Sequence, residues 1–250
     1  MKPYEILTFD CYGTLIDWER GIGDAFEAAA RADGVKLDRS GVLQAYHEIE
    51  PVVQAERYRS YREVLTLTAE HIAGRLGWAL GLQGGAFVAE SLPSWPPFPD
   101  TNAALARLVG AGYRLAILSN VDDDLLAGTR KHLGVDFEFV VTAQEVGSYK
   151  PAPAHFTTAR ARIGGAPWLH VAQSWFHDVK PARALGIPTA WINRKHERRA
   201  GDAEPDAEFA TLGEAAAWLA GEESRGATAS PGRPEREGGV GGHVGAPHDE

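Results

Sequence analysis

Hydrophobic positions along this chain follow two different rhythms. Short apolar runs at Tyr4 to Phe9 (Y-E-I-L-T-F), Tyr113 to Leu118, Phe139 to Thr142, Leu169 to Gln173 and Pro188 to Ile192 are rich in β-branched and aromatic residues and read as strands. Between them the apolar residues recur on one helical face. Thr101 to Val109 carries Ala104, Leu105 and Leu108 in this way; Asp124 to Leu133 and Ala154 to Ile163 behave similarly, and Val179 to Leu185 ends at Gly186. Strand alternating with helix, without hairpin signals, predicts an α/β fold with a parallel sheet covered on both faces. In such sheets ligands gather beyond the carboxyl ends of the strands.

From about Trp18 to Trp95 the rhythm is helical almost throughout. Ile22, Phe26 and Ala29 share one stripe; Leu43, Tyr46 and Val53 share another; Tyr61, Leu65, Thr68, Ile72 and Leu76 form a third. Gly34 is a stop for the first helix, and Asp38 or Ser40 an N-cap for the second. The proline-rich stretch from Pro93 to Pro99 suits a hinge or strut returning to the sheet, an irregular surface loop being the other reading. The division expected is a core of residues 1–17 plus 97–220, a helical insertion over 18–96 and a tail over 221–250. That tail has eight glycines, three prolines and only Val240 and Val244 as large aliphatics, too little apolar surface to offset ordering. Its His243 and His248 read as solvated.

Composition narrows the function classes. With 250 residues, 44% hydrophobic and 24% charged, the chain has the usage of an ordinary globular protein. A net charge of -9 opposes long-range attraction to nucleic acid or anionic membranes, while leaving room for a local basic pocket. The single cysteine, Cys11, excludes an internal disulfide and a zinc site of paired thiolates. The apolar start is too short for a signal peptide or a spanning helix, so a cytoplasmic location is the expectation.

Asp10 stands at the end of the first strand, followed by Cys11-Tyr12-Gly13-Thr14. By itself this reads equally well as a turn or capping residue. Three later groups fall at the ends of other strands: Ser119-Asn120, Ser148-Tyr149-Lys150-Pro151, and Gln173-Ser174-Trp175-Phe176-His177-Asp178. A parallel sheet brings all four to one edge. Together they supply a nucleophilic carboxylate, hydroxyl and amide donors, an ammonium and a second carboxylate.

The ordered motifs F-D-x-Y-G-T-L, L-S-N, Y-K-P and a final Asp before a helix resemble the haloacid dehalogenase superfamily, and more narrowly its type II 2-haloacid dehalogenases. The similarity runs from about Tyr4 to Arg194, where Ala190 to Arg194 reads like that family's last strand. It implies a Rossmann-like core with an α-helical cap inserted after the first motif. It also implies that Asp10 attacks C2 of a 2-haloacid, displaces halide and forms an ester that water hydrolyses. In that scheme Lys150 holds Asp10 ionised and Asp178 helps activate water. Ser119 and Asn120 bind the substrate carboxylate or leaving group, and Thr14 and the backbone near Cys11 and Tyr12 provide donors.

Superfamily phosphatases carry a second Asp two residues after the nucleophile and a further acidic magnesium ligand in the fourth motif; here Tyr12 and Gln173 stand in those places. Asp10 and Asp178 alone make a poor magnesium site, so metal-free chemistry without a cofactor is expected. Two features depart from the dehalogenases. Gln173 and Trp175 replace a Ser and an Asn, with Ser174 and His177 as candidate substitutes. The arginine expected early in the second cap helix is absent near Glu50 to Val53, although Arg57, Arg59 and Arg62 lie a little later, each also readable as a solvated surface residue. Tyr12, Trp18 and Trp175 are expected walls. The expected partner is a small carboxylate, with a homodimer left open. A reshaped phosphatase and a non-catalytic binding relative are the competing readings.

Overall fold

The computed structural model describes residues 2–199, 201 and 203–221, so the expected tail lies, apart from Gly221, outside the described residues. The chain runs through β1 (Ile6–Phe9), α1 (Trp18–Ala32), α2 (Arg39–Glu56), α3 (Tyr61–Arg75), α4 (Ala86–Ser91), α5 (Thr101–Gly110), β2 (Arg114–Ser119), α6 (Asp123–Thr129), β3 (Phe139–Thr142), α7 (Ala143–Val146), α8 (Ala154–Ile163), β4 (Trp168–Ala172), α9 (Lys180–Ala184), β5 (Thr189–Ile192), β6 (Ala207–Phe209) and α10 (Leu212–Leu219). The six strands form one parallel sheet in the order β3-β2-β1-β4-β5-β6. The five anticipated strands appear within a residue or two of their expected bounds. The short edge strand β6 was not anticipated, and Ala190 to Arg194 therefore holds the last strand but one.

Every residue of β1 is buried, because helices cover both faces of the sheet. Leu7 and Phe9 pack with Leu105 of α5 and Ala216 of α10 on one side. Ile6 packs with Phe156 of α8 and Ala182 of α9 on the other. Phe9 pairs with both Ile117 of β2 and Val171 of β4, so the chain order reverses around β1. The crevice beyond this switch point is where an open α/β sheet offers its binding site.

Helices α1 to α4 leave the sheet directly after β1. Their buried stripes are Ile22, Phe26 and Ala30 in α1, Val42, Tyr46, Ile49 and Val53 in α2, and Val64, Leu65, Thr68 and Ile72 in α3. Asp38 caps α2 by accepting from the Ser40 and Gly41 amides, and Gly34, at φ +70°, follows the end of α1. Leu76, expected on the third stripe, lies past the end of α3 and is exposed. Pro51 sits inside α2, where it removes a helical hydrogen bond, and the packing of α2 on α1 and α3 carries that cost.

The helical layer is fastened to the core at the start of α3. Asp122 accepts from the Tyr61 and Arg62 amides, both at 2.9 Å, and Arg62 pairs with Asp124 at 2.6 Å. The Tyr149 hydroxyl donates to the Arg59 carbonyl at 2.9 Å, and Tyr58 to that of Ala143 at 3.0 Å. The returning segment is a strut whose Trp95 is buried against α1. A Cβ added at Gly21 falls 2.2 Å from Cγ of the Trp95 ring, so only glycine permits this approach. Gly21→Ala is therefore expected to destabilise the chain by about 1–3 kcal/mol, the usual cost of overpacking, read as a lower midpoint in urea unfolding.

Candidate active site

Asp10 follows β1 in a tight turn, in which the Leu15 and Ile16 amides both donate to the Cys11 carbonyl. Gly13, at φ +99°, supplies a backbone conformation that other residues rarely adopt. The turn brings Thr14 back over Asp10. Its hydroxyl donates to Asp10 Oδ2 at 2.9 Å and accepts from the Gln173 amide at the same distance. Arg194, beyond β5, holds the turn from outside by donating to the Thr14 carbonyl at 3.0 Å while pairing with Asp100 at 3.1 Å.

Lys150 reaches the site from the loop after α7. Its Nζ donates to Asp10 Oδ1 at 2.9 Å, to Asp178 Oδ1 at 2.6 Å and to the Leu118 carbonyl at 2.8 Å, which satisfies all three ammonium protons. Asn120 fixes the backbone of this loop. Its amide oxygen accepts from the Lys150 N–H at 2.7 Å and its amide nitrogen donates to the Lys150 carbonyl at 3.0 Å. The Asn120 side chain thus clamps this loop, and the residue also borders the cavity.

Asp178 arrives on a π-helical turn, Trp175–Val179, whose start is capped by Ser174 accepting from the His177 amide. Buried His170 stands behind it. Nε2 of His170 donates to Asp178 Oδ1 at 2.9 Å, leaving Nδ1 to accept from the Thr8 hydroxyl at 2.9 Å. Asp178 Oδ2 is buried and has no hydrogen-bond partner, and the same holds for Ser119 Oγ. His155 donates to the Ser119 carbonyl at 3.1 Å.

These environments push the two carboxylates apart. Burial, strengthened by Asp178 and opposed by Lys150 and Thr14, raises Asp10 above its ordinary value of 3.8. Burial acts upward on Asp178 too, but the Lys150 ammonium and the His170 hydrogen bond outweigh it and bring that group down to about 2. The Lys150 ammonium is held above its ordinary range: burial works against the charge, and the two carboxylates more than compensate. Burial lowers His177, which leaves its imidazole neutral at pH 7, and lowers His155 to about 4.

Asp10, Lys150, Asp178, Ser119 and Asn120 meet at a cavity of about 450 Å³, together with Tyr12, Ser174, Trp175 and His177. The Tyr12 ring stacks edge-on to Trp95 while its hydroxyl is tied to Thr129 at 2.9 Å. Trp175 packs on Trp191 with centroids 4.8 Å apart, and the Trp191 indole N–H donates to the Gln173 carbonyl. The Cys11 side chain is directed into the core and does not border the cavity. None of the three arginines considered at the end of α2 and the start of α3 borders it either. Arg59 binds the Val53 carbonyl and Glu56, Arg62 binds Asp124, and Arg57 faces Glu63. Among the described residues the arginine at the cavity is Arg198, beyond β5.

A magnesium ion does not suit this donor set. Asp178 Oδ1 is already taken by Lys150 and His170, and Gln173, an amide, stands where a further acidic ligand would be needed. Among the described residues no cluster of three or more His, Cys, Asp or Glu side chains is placed to hold a metal.

Residues 4–186 match the haloacid dehalogenase-like hydrolase family, and the chain belongs to it. It is 29% identical over 229 residues to (S)-2-haloacid dehalogenase H-109 of Pseudomonas putida, covering 88% of this chain and 99% of that one. It is also 29% identical over 203 residues to haloacid dehalogenase-like hydrolase domain-containing protein 3 of Mus musculus, covering 73% and 79%. In fold it is similar to the L-2-haloacid dehalogenase of Xanthobacter autotrophicus solved with chloropropionic acid covalently bound, with a TM-score of 0.76, 22% identity and coverage of 87% and 99%.

Carboxylate titration by carbon NMR should place Asp178 near 2 and Asp10 above 3.8. His170→Leu removes one of the two partners that depress Asp178 and is expected to move its midpoint upward. An unmoved midpoint would show that Lys150 alone sets it.

Proposed function

We propose that this chain hydrolyses small (S)-2-haloacids to 2-hydroxyacids through an ester on Asp10, without a metal ion. The observation that carries the reading is the setting of Asp10: oriented by Thr14 and Lys150, at the switch point of the sheet, with Tyr12 instead of a proton-donating carboxylate two residues on. A phosphate ester needs its leaving alcohol protonated. Halide leaves without help, so the missing acid is no loss for displacement at carbon. The names of the curated relatives support the same chemistry.

In the first step an Asp10 oxygen attacks C2 in line. A C–O bond forms, the carbon–halogen bond breaks, and halide departs with the bonding pair, inverting the centre. Ser119 Oγ, buried and unpartnered, is available to the substrate carboxylate or the departing halide, and Arg198 supplies positive charge at the cavity. Lys150 keeps Asp10 ionised against the neighbouring Asp178 charge.

In the second step water attacks the Asp10 carbonyl carbon. Asp178 Oδ2 offers a free acceptor to orient that water, yet a group near 2 is too weak a base to take its proton at neutral pH. His177 borders the cavity as a neutral imidazole and receives it. The ester C–O bond to the carboxyl carbon then breaks as His177 returns its proton to the departing C2 oxygen, the hydroxyacid leaves, and the new Asp10 carboxyl group gives up its remaining proton to solvent, which restores the carboxylate.

Purified protein is expected to release chloride from (S)-2-chloropropionate at a rate unchanged by EDTA, and Asp10→Asn to abolish release. Magnesium-dependent phosphate release from a generic phosphate ester, with no chloride release, would overturn the reading. His177→Asn is expected to slow the second step more than the first, giving a burst of chloride equal to the enzyme present followed by a steady rate about 100-fold below wild type, within the usual range for loss of a general base. Equal slowing of burst and steady phases would remove His177 from the role.

A further inference from the structure

Helix α2 contributes more to the cavity than a roof. Tyr46, His47, Glu50, Pro51 and Gln54 all border it, at spacings that put them on one helical face. Glu50 is the unusual member. It is 8% exposed, its Oε1 accepts from Gln54 Nε2 at 3.0 Å, and among the described residues neither lysine nor arginine is paired with it. Glu19, which His47 of this helix reaches, is paired with both His47 and Lys195. Burial, only partly offset by a hydrogen bond from Tyr61 and by His47, drives Glu50 up to about 7. Its charge is therefore one that a bound cation would restore.

Its surroundings are aromatic. Trp18 and Tyr46 lie with ring centroids 5.2 Å apart and tilted by 40°, and the Tyr46 hydroxyl meets that of Tyr61 at 3.2 Å. Ring faces beside a carboxylate are the chemistry that recognises ammonium groups. Charge points the same way. Asp10, Asp178, Glu50 and Glu197 border the cavity against Lys150 and Arg198, and Lys150 is already shared by two of the four. At about 450 Å³ the cavity also leaves space beyond a three-carbon acid.

We propose that the α2 side of the cavity is an ammonium subsite, with Glu50 as counterion and Trp18, Tyr46 and Tyr61 as its wall, so that the substrate is a 2-haloacid bearing a protonated or quaternary amine away from its reacting carbon. The haloacid half of this statement rests on the function proposed above; the subsite rests on Glu50 and the rings. Substrate carboxylate and ammonium then occupy opposite ends, near Ser119 and Glu50.

Two matched pairs of ligands test it. The first is a butanoate with a terminal trimethylammonium group and its tert-butyl isostere, both without halogen, measured by calorimetry on the full chain. The wild type is expected to bind the cationic member at least about tenfold more tightly, and Glu50→Gln to erase that preference. Equal or tighter binding of the isostere by the wild type overturns the subsite without recourse to any variant, and so does a preference that survives in Glu50→Gln. The second pair carries chlorine at C2. Chloride release with the same cationic preference in kcat/KM supports the full assignment. Cationic preference in binding with no chloride from any 2-chloroacid overturns the haloacid half alone, whereas chloride release without preference overturns the subsite alone.

Discussion

A single ammonium group, Lys150 Nζ, lies between two buried carboxylates and holds both. Removing it would leave Asp10 and Asp178 as like charges in a largely buried site, an arrangement whose cost falls in the range of about 3–5 kcal/mol found when buried pairs are broken. The third proton of the ammonium is bound by the carbonyl at the end of β2, so the charge has no freedom to turn away. Around this group the remaining polar contacts are arranged in order. Thr14 fixes the free oxygen of Asp10, His170 shares Asp178, and Asn120 holds the Lys150 backbone by two hydrogen bonds. The site is thus one network, and each member's protonation depends on the others.

The sheet makes that network possible. Parallel strands β1, β2 and β4 end at one edge, and each delivers a part: the nucleophile turn, Ser119 with Asn120, and the π-helical turn bearing Asp178. Lys150 must come from a fourth segment, and its loop is fixed from both sides, by Asn120 of the core and by the Tyr149 hydroxyl on the Arg59 carbonyl. The same tyrosine that precedes the ammonium therefore also touches the helices above. Those helices supply the side of the cavity that the sheet cannot, and there the chemistry differs: rings and one unmatched carboxylate where a halide-binding arginine was expected.

Strand and helix periodicity revealed most of this architecture because β1, β2, β4 and β5 are buried on both faces and have to be continuously apolar. β6 escaped notice because A-E-F at an edge is short and half polar. The convergence of Asp10, Lys150 and Asp178 followed from placing each at the end of a parallel strand or just beyond it. What the residues around them do was less legible. His170 lies within a strand, W-L-H-V-A, where a histidine reads as core; the available signal was a polar residue in an otherwise apolar run. The clamp that Asn120 places on the Lys150 loop gave no signal in the sequence, because its partner is the backbone thirty residues away. Glu50 gives no signal in the sequence beside the expected cap arginine, because its burial depends on how α2 packs.

The central claim is that Asp10 becomes covalently attached to substrate carbon and is freed by attack at its own carboxyl carbon. A single turnover in ¹⁸O-labelled water, with enzyme in excess over (S)-2-chloropropionate, tests this most directly. The account predicts hydroxyacid carrying unlabelled oxygen at C2 and a peptide containing Asp10 that has gained the label. Label appearing in the hydroxyacid on the first turnover, with Asp10 unlabelled, would contradict it.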